Sequence, residues 1–150
     1  MGQHKTSIHL EHDTAHFNIK SFNRDHVVCF ENRVVIHATS SLEYTGNPDL
    51  ISPEDLFIAT ISICHMMTFL TVASLNKWLL ETYRDQAQGF LEKNPAGRIM
   101  MNRVILQPQV VFSASNHPSR KAKEDMHLKA RQSGFIDNSV RTSISIQPNF

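Results

Sequence analysis

Ser52-Pro53-Glu54-Asp55-Leu56-Phe57-Ile58-Ala59-Thr60-Ile61-Ser62-Ile63-Cys64-His65-Met66-Met67-Thr68-Phe69-Leu70 is the stretch on which the reading of this chain turns. It has the pattern of a helix with its start written in. Ser52 offers an oxygen to the free amides of the first turn. Pro53 suits the first helical position, where its missing N–H is not needed, and Glu54 and Asp55 complement the positive helix end. The helix is expected to run from Pro53 to about Trp78. Between Leu56 and Leu79 apolar residues fall on every face, which predicts a helix buried all round. Cys64 lies inside it. A thiol in such a place is either inert filling or the reactive centre of the protein.

Working outward, four strand-like runs precede the helix: residues 7–11, 16–22, 26–30 and 33–39. Asp13-Thr14-Ala15 makes a turn, and Glu31-Asn32 joins the last two runs as a tight hairpin. Gly46-Asn47-Pro48-Asp49 forms a loop before the helix. Beyond it, residues 82–92 alternate, Asn94-Pro95-Ala96-Gly97 turns, and residues 99–107 form a strand that 109–113 extend. Pro108 between them marks an edge or a bulge, since it cannot donate to the ladder. A second, polar helix is expected from Pro118 to about Gln132, with Gly134 suited to a left-handed cap. Residues 139–147 close as a strand. Strands and helices that segregate in this way predict an α+β fold in one domain over residues 1–150.

Composition narrows the function. Fifteen basic residues against fourteen acidic ones leave a formal charge of +1, and 41% of the 150 residues are hydrophobic. Such a balance does not advertise nucleic acid or an anionic membrane. The apolar run of residues 51–80 is interrupted by Glu54, Asp55, His65, Asn76 and Lys77, which argues against a membrane span. Met1-Gly2-Gln3-His4-Lys5-Thr6 has no apolar core behind its charge, so no secretory signal is expected. Gly2 with Thr6 fits a loose myristoylation pattern that is common by chance. Cys29 and Cys64 form no disulfide framework and read as reduced thiols of a cytoplasmic protein. His9, His12 and His16 cluster without cysteine or sharp ligand spacing, and on a strand His9 and His12 point to opposite faces. They read as solvated histidines, and no metal or other cofactor is expected.

Several segments, in common order, are similar to the OsmC/Ohr family of thiol peroxidases. Pro53-Glu54-Asp55-Leu56 with Cys64 ten residues after Glu54 resembles its P-E-x-L opening and catalytic cysteine. Cys64-His65-Met66 resembles one branch. Phe22-Asn23-Arg24-Asp25-His26 is similar to that branch's aromatic-x-Arg-x-His segment, and Tyr44-Thr45-Gly46-Asn47 to its Gly-Asp loop. Glu81-Thr82-Tyr83-Arg84-Asp85-Gln86-Ala87-Gln88-Gly89 resembles its E-x-Y-x-D-x-A-x-G strand, and Val104-Ile105-Leu106-Gln107-Pro108 its V-x-L-x-P strand. Phe135-Ile136-Asp137-Asn138-Ser139-Val140 resembles its C-F-I-x-N-S-V segment without the cysteine.

The resemblance implies antiparallel sheets around a buried central helix, an intertwined homodimer with sites at the interface, and reduction of organic hydroperoxides in oxidative stress defence. A cysteine attacks a peroxide as thiolate, which needs a cation or donor beside it. The resemblance proposes Arg24 as that cation, oriented by Glu54 through a two-pronged pair. Equally, Arg24 reads as a surface charge and Glu54 as a helix-end charge. Glu54 and Cys64 are separated by about 15 Å of helical rise and about 80° of turn, so they cannot meet directly. Either Arg24 bridges them or a second subunit supplies the carboxylate. His65 points about 100° from Cys64 and is a poor thiol partner. Phe57 and Met67, with Met66 and Phe69, are candidate walls of a pocket for an alkyl or lipid hydroperoxide, and equally the walls of any core.

One departure bears on the chemistry. The family's second, resolving cysteine is replaced by Gly134, and Cys29 in mid-strand is a poor substitute given strict disulfide geometry. A one-cysteine cycle with an external thiol reductant follows. The rival reading is a non-catalytic member that binds a small hydrophobic molecule at the dimer interface.

Overall fold

A computed structural model describes residues 2–11 and 17–150. Its elements run β1 (Thr6–His9), β2 (His26–Phe30), β3 (Val35–Ala38), α1 (Pro53–Leu75), β4 (Leu80–Arg84), β5 (Gln88–Lys93), β6 (Ile99–Leu106), β7 (Gln109–Phe112), α2 (Arg120–Ser133) and β8 (Ser143–Ile146). The α+β class follows as expected. The chain forms two compact units that divide after Leu56, within the first turn of α1.

The first unit is an antiparallel sheet in the order β1-β2-β3. The β2–β3 connection is longer than the two-residue turn expected, because Arg33 adopts a left-handed φ of 66° and Phe30 N–H reaches Val34 O at 2.9 Å. A strand was expected over residues 16–22; His16 and the turn 13–15 lie outside the described residues, and Phe17–Phe22 is not a strand. Asn18 captures this segment locally. Its carbonyl accepts the N–H groups of Ser21 and Phe22, and its side chain accepts that of Lys20. Such bonds offer the backbone an alternative to the ladder.

In the second unit β4 pairs with β7, and β5-β6-β8 form another sheet in which β8 joins β6 in parallel. The single alternating run expected over residues 82–92 is two strands in different sheets, broken where the Asp85 carboxylate accepts the N–H of Gln107 at 2.6 Å. The strand expected to continue past Pro108 is likewise two, β6 and β7, and buried Pro108 stands at the change of sheet. A proline suits such a junction, since it interrupts a ladder.

The start of α1 is a reciprocal cap. Asp55 N–H donates to Ser52 Oγ at 3.2 Å, while the Asp55 carboxylate accepts from Ser52 N–H at 3.1 Å and from Ser52 Oγ at 2.7 Å. Two orphan donors are satisfied at once. Ser52→Ala is expected to cost about 1 kcal/mol in urea unfolding, and a variant as stable as the parent would show the cap to be dispensable.

The helix ends at Leu75 rather than near Trp78. Lys77 adopts a left-handed φ of 59°, and Trp78 N–H to Ala73 O and Lys77 N–H to Ser74 O close the last turn. This is a Schellman ending in which lysine takes the place usually held by glycine.

By length and composition α1 could cross a membrane. In this fold it is a core helix buried along one stripe, Ile61, His65, Phe69 and Ala73. Ile61 packs with Val104, Leu106 and Ile144. Phe69 and Ala73 pack with Phe112, Met126 and Ala130. Burial all round does not hold within the chain: Ile63 and Met67 are each 55% exposed. At Ile63 and Met67 α1 offers more apolar surface than this unit covers.

α2 starts two residues later than expected, with Ser119 as its cap accepting Ala122 N–H at 3.2 Å. Gly134 caps its end with φ −68°, not in the left-handed region anticipated for it.

Candidate functional site

Cys64 stands about three turns into α1, half-buried and unbonded to any other cysteine. Its carbonyl accepts Thr68 Oγ1 at 2.9 Å. The residue lies at the boundary of the buried stripe, about 100° from His65. Cys29 sits in mid-β2, facing Ser7 and Val35 in the neighbouring strands, and belongs to the other unit.

Arg24 precedes β2, half-buried. Its Nη1 donates to Phe22 O at 2.9 Å and its Nη2 to Ile19 O at 2.7 Å, and the guanidinium lies 3.8 Å from the centre of the Phe22 ring. Glu54 is in the first turn of α1, and its Oε2 is buried without a hydrogen-bond partner among the described residues. No ion pair joins Arg24 to Glu54 there; the local carbonyls hold the guanidinium instead.

The two candidate pocket residues part company. Phe57 packs against the Ile61 cluster, whereas Met67 is on the exposed side of α1. Gly134 is buried at the end of α2. His9 is exposed and bonds Glu11 at 3.2 Å, while His12 and His16 lie outside the described residues.

Beside Cys64 the structure assembles a polar cluster that sequence reasoning missed. His65, fully buried, places Nε2 3.0 Å from Nδ1 of His127 on α2. Burial pushes both imidazoles down from the ordinary 6.5 to about 4. Nearby Asp85 partly offsets this for His65, and His65 adds to it for His127. Ser62 Oγ donates to Asp85 Oδ2 at 2.5 Å. Burial, followed by the Asp85 charge, raises the Tyr83 phenol well above its usual value. Near the chain end, Asp137 keeps both carboxylate oxygens buried and unpartnered among the described residues. Burial raises its carboxyl, an effect that Arg131 opposes. The one available signal was the alternation expected from residue 82 onward, which would place Tyr83 and Asp85 on one face; the structure ends the strand at Arg84.

Chemically, the arrangement offers a half-buried thiol and, from the next residue of the helix, a neutral imidazole engaged with that of His127. His65 is directed to His127, as its angular separation from Cys64 foretold. Thiol–imidazole catalysis of the papain kind is therefore not built here, and any activation of Cys64 has to come from another donor.

Comparison with known proteins agrees with the family resemblance. The family model described as "OsmC-like protein" matches residues 46–149. An OsmC-like protein of unknown function from Vibrio cholerae is 32% identical, with a TM-score of 0.96 over 99% of this chain and 100% of that one. The organic hydroperoxide resistance protein OsmC of Legionella pneumophila has the same fold at 17% identity, with a TM-score of 0.72 over 99% of this chain and 96% of its own. The organic hydroperoxide resistance protein OhrB of Bacillus subtilis shares it at 13% identity, with a TM-score of 0.70 over 98% of each chain. No curated protein matches the chain in sequence. The capped central helix, its half-buried thiol and the family match over residues 46–149 make this chain a member of the OsmC-like protein family.

Proposed function

We propose that this chain is one OsmC-like domain that reduces organic hydroperoxides, with Cys64 as the attacking thiolate, working as a cytoplasmic homodimer. The observation that carries the reading is Cys64 itself, a free, half-buried thiol on the capped central helix of an OsmC-like chain. Two structures of the same fold are of organic hydroperoxide resistance proteins. The thiolate sulfur attacks the peroxide O–O bond, which breaks. Sulfur keeps one oxygen as sulfenic acid, and the other leaves as alkoxide and takes a proton to become the alcohol. Two equivalents of an external thiol then return the cysteine, giving a disulfide and water.

Arg24 is the cation assigned to the thiolate and the departing oxygen, and Glu54 its orienting carboxylate. Oε2 of Glu54, buried and without a hydrogen-bond partner among the described residues, supports completion of the site by a second copy. So does the exposed apolar side of α1 at Ile63 and Met67, which offers that copy a surface. Met67, and Phe57 at the helix start, line the path assigned to the alkyl group.

A non-catalytic ligand binder is the second reading, and Gly134 in place of a resolving cysteine favours it. Consumption of an alkyl hydroperoxide in the presence of dithiothreitol tests the choice. Turnover by the wild type is expected, together with slower alkylation of Cys64 in Arg24→Ala on a Cys29→Ser background. Absence of turnover, with alkylation indifferent to Arg24, would leave the binder. Sedimentation of a stable monomer at micromolar concentration would remove the shared site.

A further inference from the structure

Hydrophobicity does not tell α1 which way to face. Apolar residues surround the helix, so burial alone rewards many rotations about its axis almost equally. Directional contacts distinguish one rotation from another, and two of them flank Cys64 in sequence. Ser62 Oγ donates to Asp85 Oδ2, and Asp85 is itself held through Oδ1 by the N–H of Gln107. Three residues on, His65 meets His127.

The geometry of the second contact is specific. The imidazole planes are within 7° of parallel with centroids 5.3 Å apart, while the bonded nitrogens are 3.0 Å apart. Rings so placed lie edge to edge in nearly one plane, joined by a single N–H···N bond. Nδ1 of His65 is buried with no partner among the described residues. A bare lone pair there is less unfavourable than an orphaned N–H. The bond is therefore assigned with His65 Nε2–H donating to His127 Nδ1. Phe69, one turn along α1, packs on the His127 ring at 4.3 Å and holds it in place.

We propose that these two bonds, Ser62 to Asp85 and His65 to His127, fix the rotation of α1 and so set the direction in which Cys64 faces. Ser62 and His65 are three residues apart, on one side of the helix, and Cys64 is about 100° round from His65. A hydrogen bond weakens steeply with distance and angle, whereas an apolar stripe tolerates rotation. Buried polar contacts select register in the same way where apolar packing leaves alternatives. Ser62, Asp85, His65 and His127 are thus positioning residues for a thiol they do not touch. Their bearing on peroxide chemistry rests on the reading of Cys64 given above, but the orientation itself can be measured without peroxide.

The test uses the full chain on a Cys29→Ser background, with iodoacetamide as the probe of Cys64 and the cysteine Cβ resonance as a second reading. His65→Leu alone leaves His127 Nδ1 unpartnered and is expected to destabilise the fold. His65→Leu/His127→Leu replaces both partners with apolar groups and is expected to recover much of that stability. The same double variant is expected to change the Cys64 alkylation rate by about tenfold or more, with several phases or a split resonance. His65→Gln, whose amide can still donate to His127, is expected to restore the parental rate and a single resonance. A double variant with the parental rate and one resonance overturns the proposal. If the double variant does not fold, an unaltered alkylation rate in Ser62→Ala overturns it instead. Hydroperoxide turnover measured in parallel separates the two ideas: orientation effects without turnover in any variant reject the peroxidase and leave the positioning role standing.

Discussion

Replacing Cys64 with serine is expected to lower hydroperoxide consumption by about a thousandfold or more, to the level of buffer with reductant. A hydroxyl in the same place has neither the acidity nor the nucleophilicity of a thiol. The oxidation products carry the finer prediction. On the one-cysteine cycle proposed above, one equivalent of hydroperoxide should stop at sulfenic acid, with no second thiol at Gly134 to resolve it. Excess peroxide should add further oxygens, which ordinary thiols do not remove. Gly134→Cys is expected to fold. Its φ of −68° suits any residue, and an added Cβ would stand 3.3 Å from Ala130 O and 3.4 Å from Asp137 Cγ, a small adjustment. Oxidation of that variant is expected to form a Cys64 disulfide instead of the higher oxides. Intact-protein mass spectrometry reads each outcome. A wild-type loss of two hydrogens linking Cys29 to Cys64 would replace the one-cysteine cycle with a two-cysteine one. No change on Cys64 under graded peroxide would reject the peroxidase.

Mild acid is expected to destabilise the protein through the His65–His127 pair. Both imidazoles are held to about 4 in the fold, against 6.5 for an unburied histidine. Above 6.5 neither state binds these protons and stability is whole. As pH falls through 6.5 the unfolded chain takes up two protons that the fold refuses, so stability drops until the folded values near 4 are reached. Between pH 6.5 and 5 the loss is on the order of 3 kcal/mol, at 1.36 kcal/mol per pH unit for each proton. Urea unfolding at pH 7 and pH 5 measures it. His65→Leu/His127→Leu is expected to flatten the dependence. An equally steep loss in that variant would assign the acid sensitivity to other groups.

What the sequence determined by itself is what local chemistry can encode. Ser52, Pro53 and Asp55 wrote the helix start, because capping satisfies amides within one turn. The strand at His26–Phe30 and the polar second helix were likewise readable from local pattern, and the family through the resemblance of its motifs in order. Other features needed partners distant in sequence. The breaks at Asp85 and Pro108, which move β4 and β7 into their own sheet, follow from an Asp85–Gln107 bond 22 residues apart. The Asn18 turn displaced an expected strand because its own side chain outcompeted a ladder whose existence depended on another strand. The face of α1 is the clearest case. A helix apolar on every side carries no periodicity from which its buried stripe can be read. Only when the fold brings Asp85 beside Ser62, and His127 beside His65 from 62 residues away, does a directional bond select one orientation. The presence of the thiol was legible in the sequence; the direction in which it faces was decided by the tertiary structure.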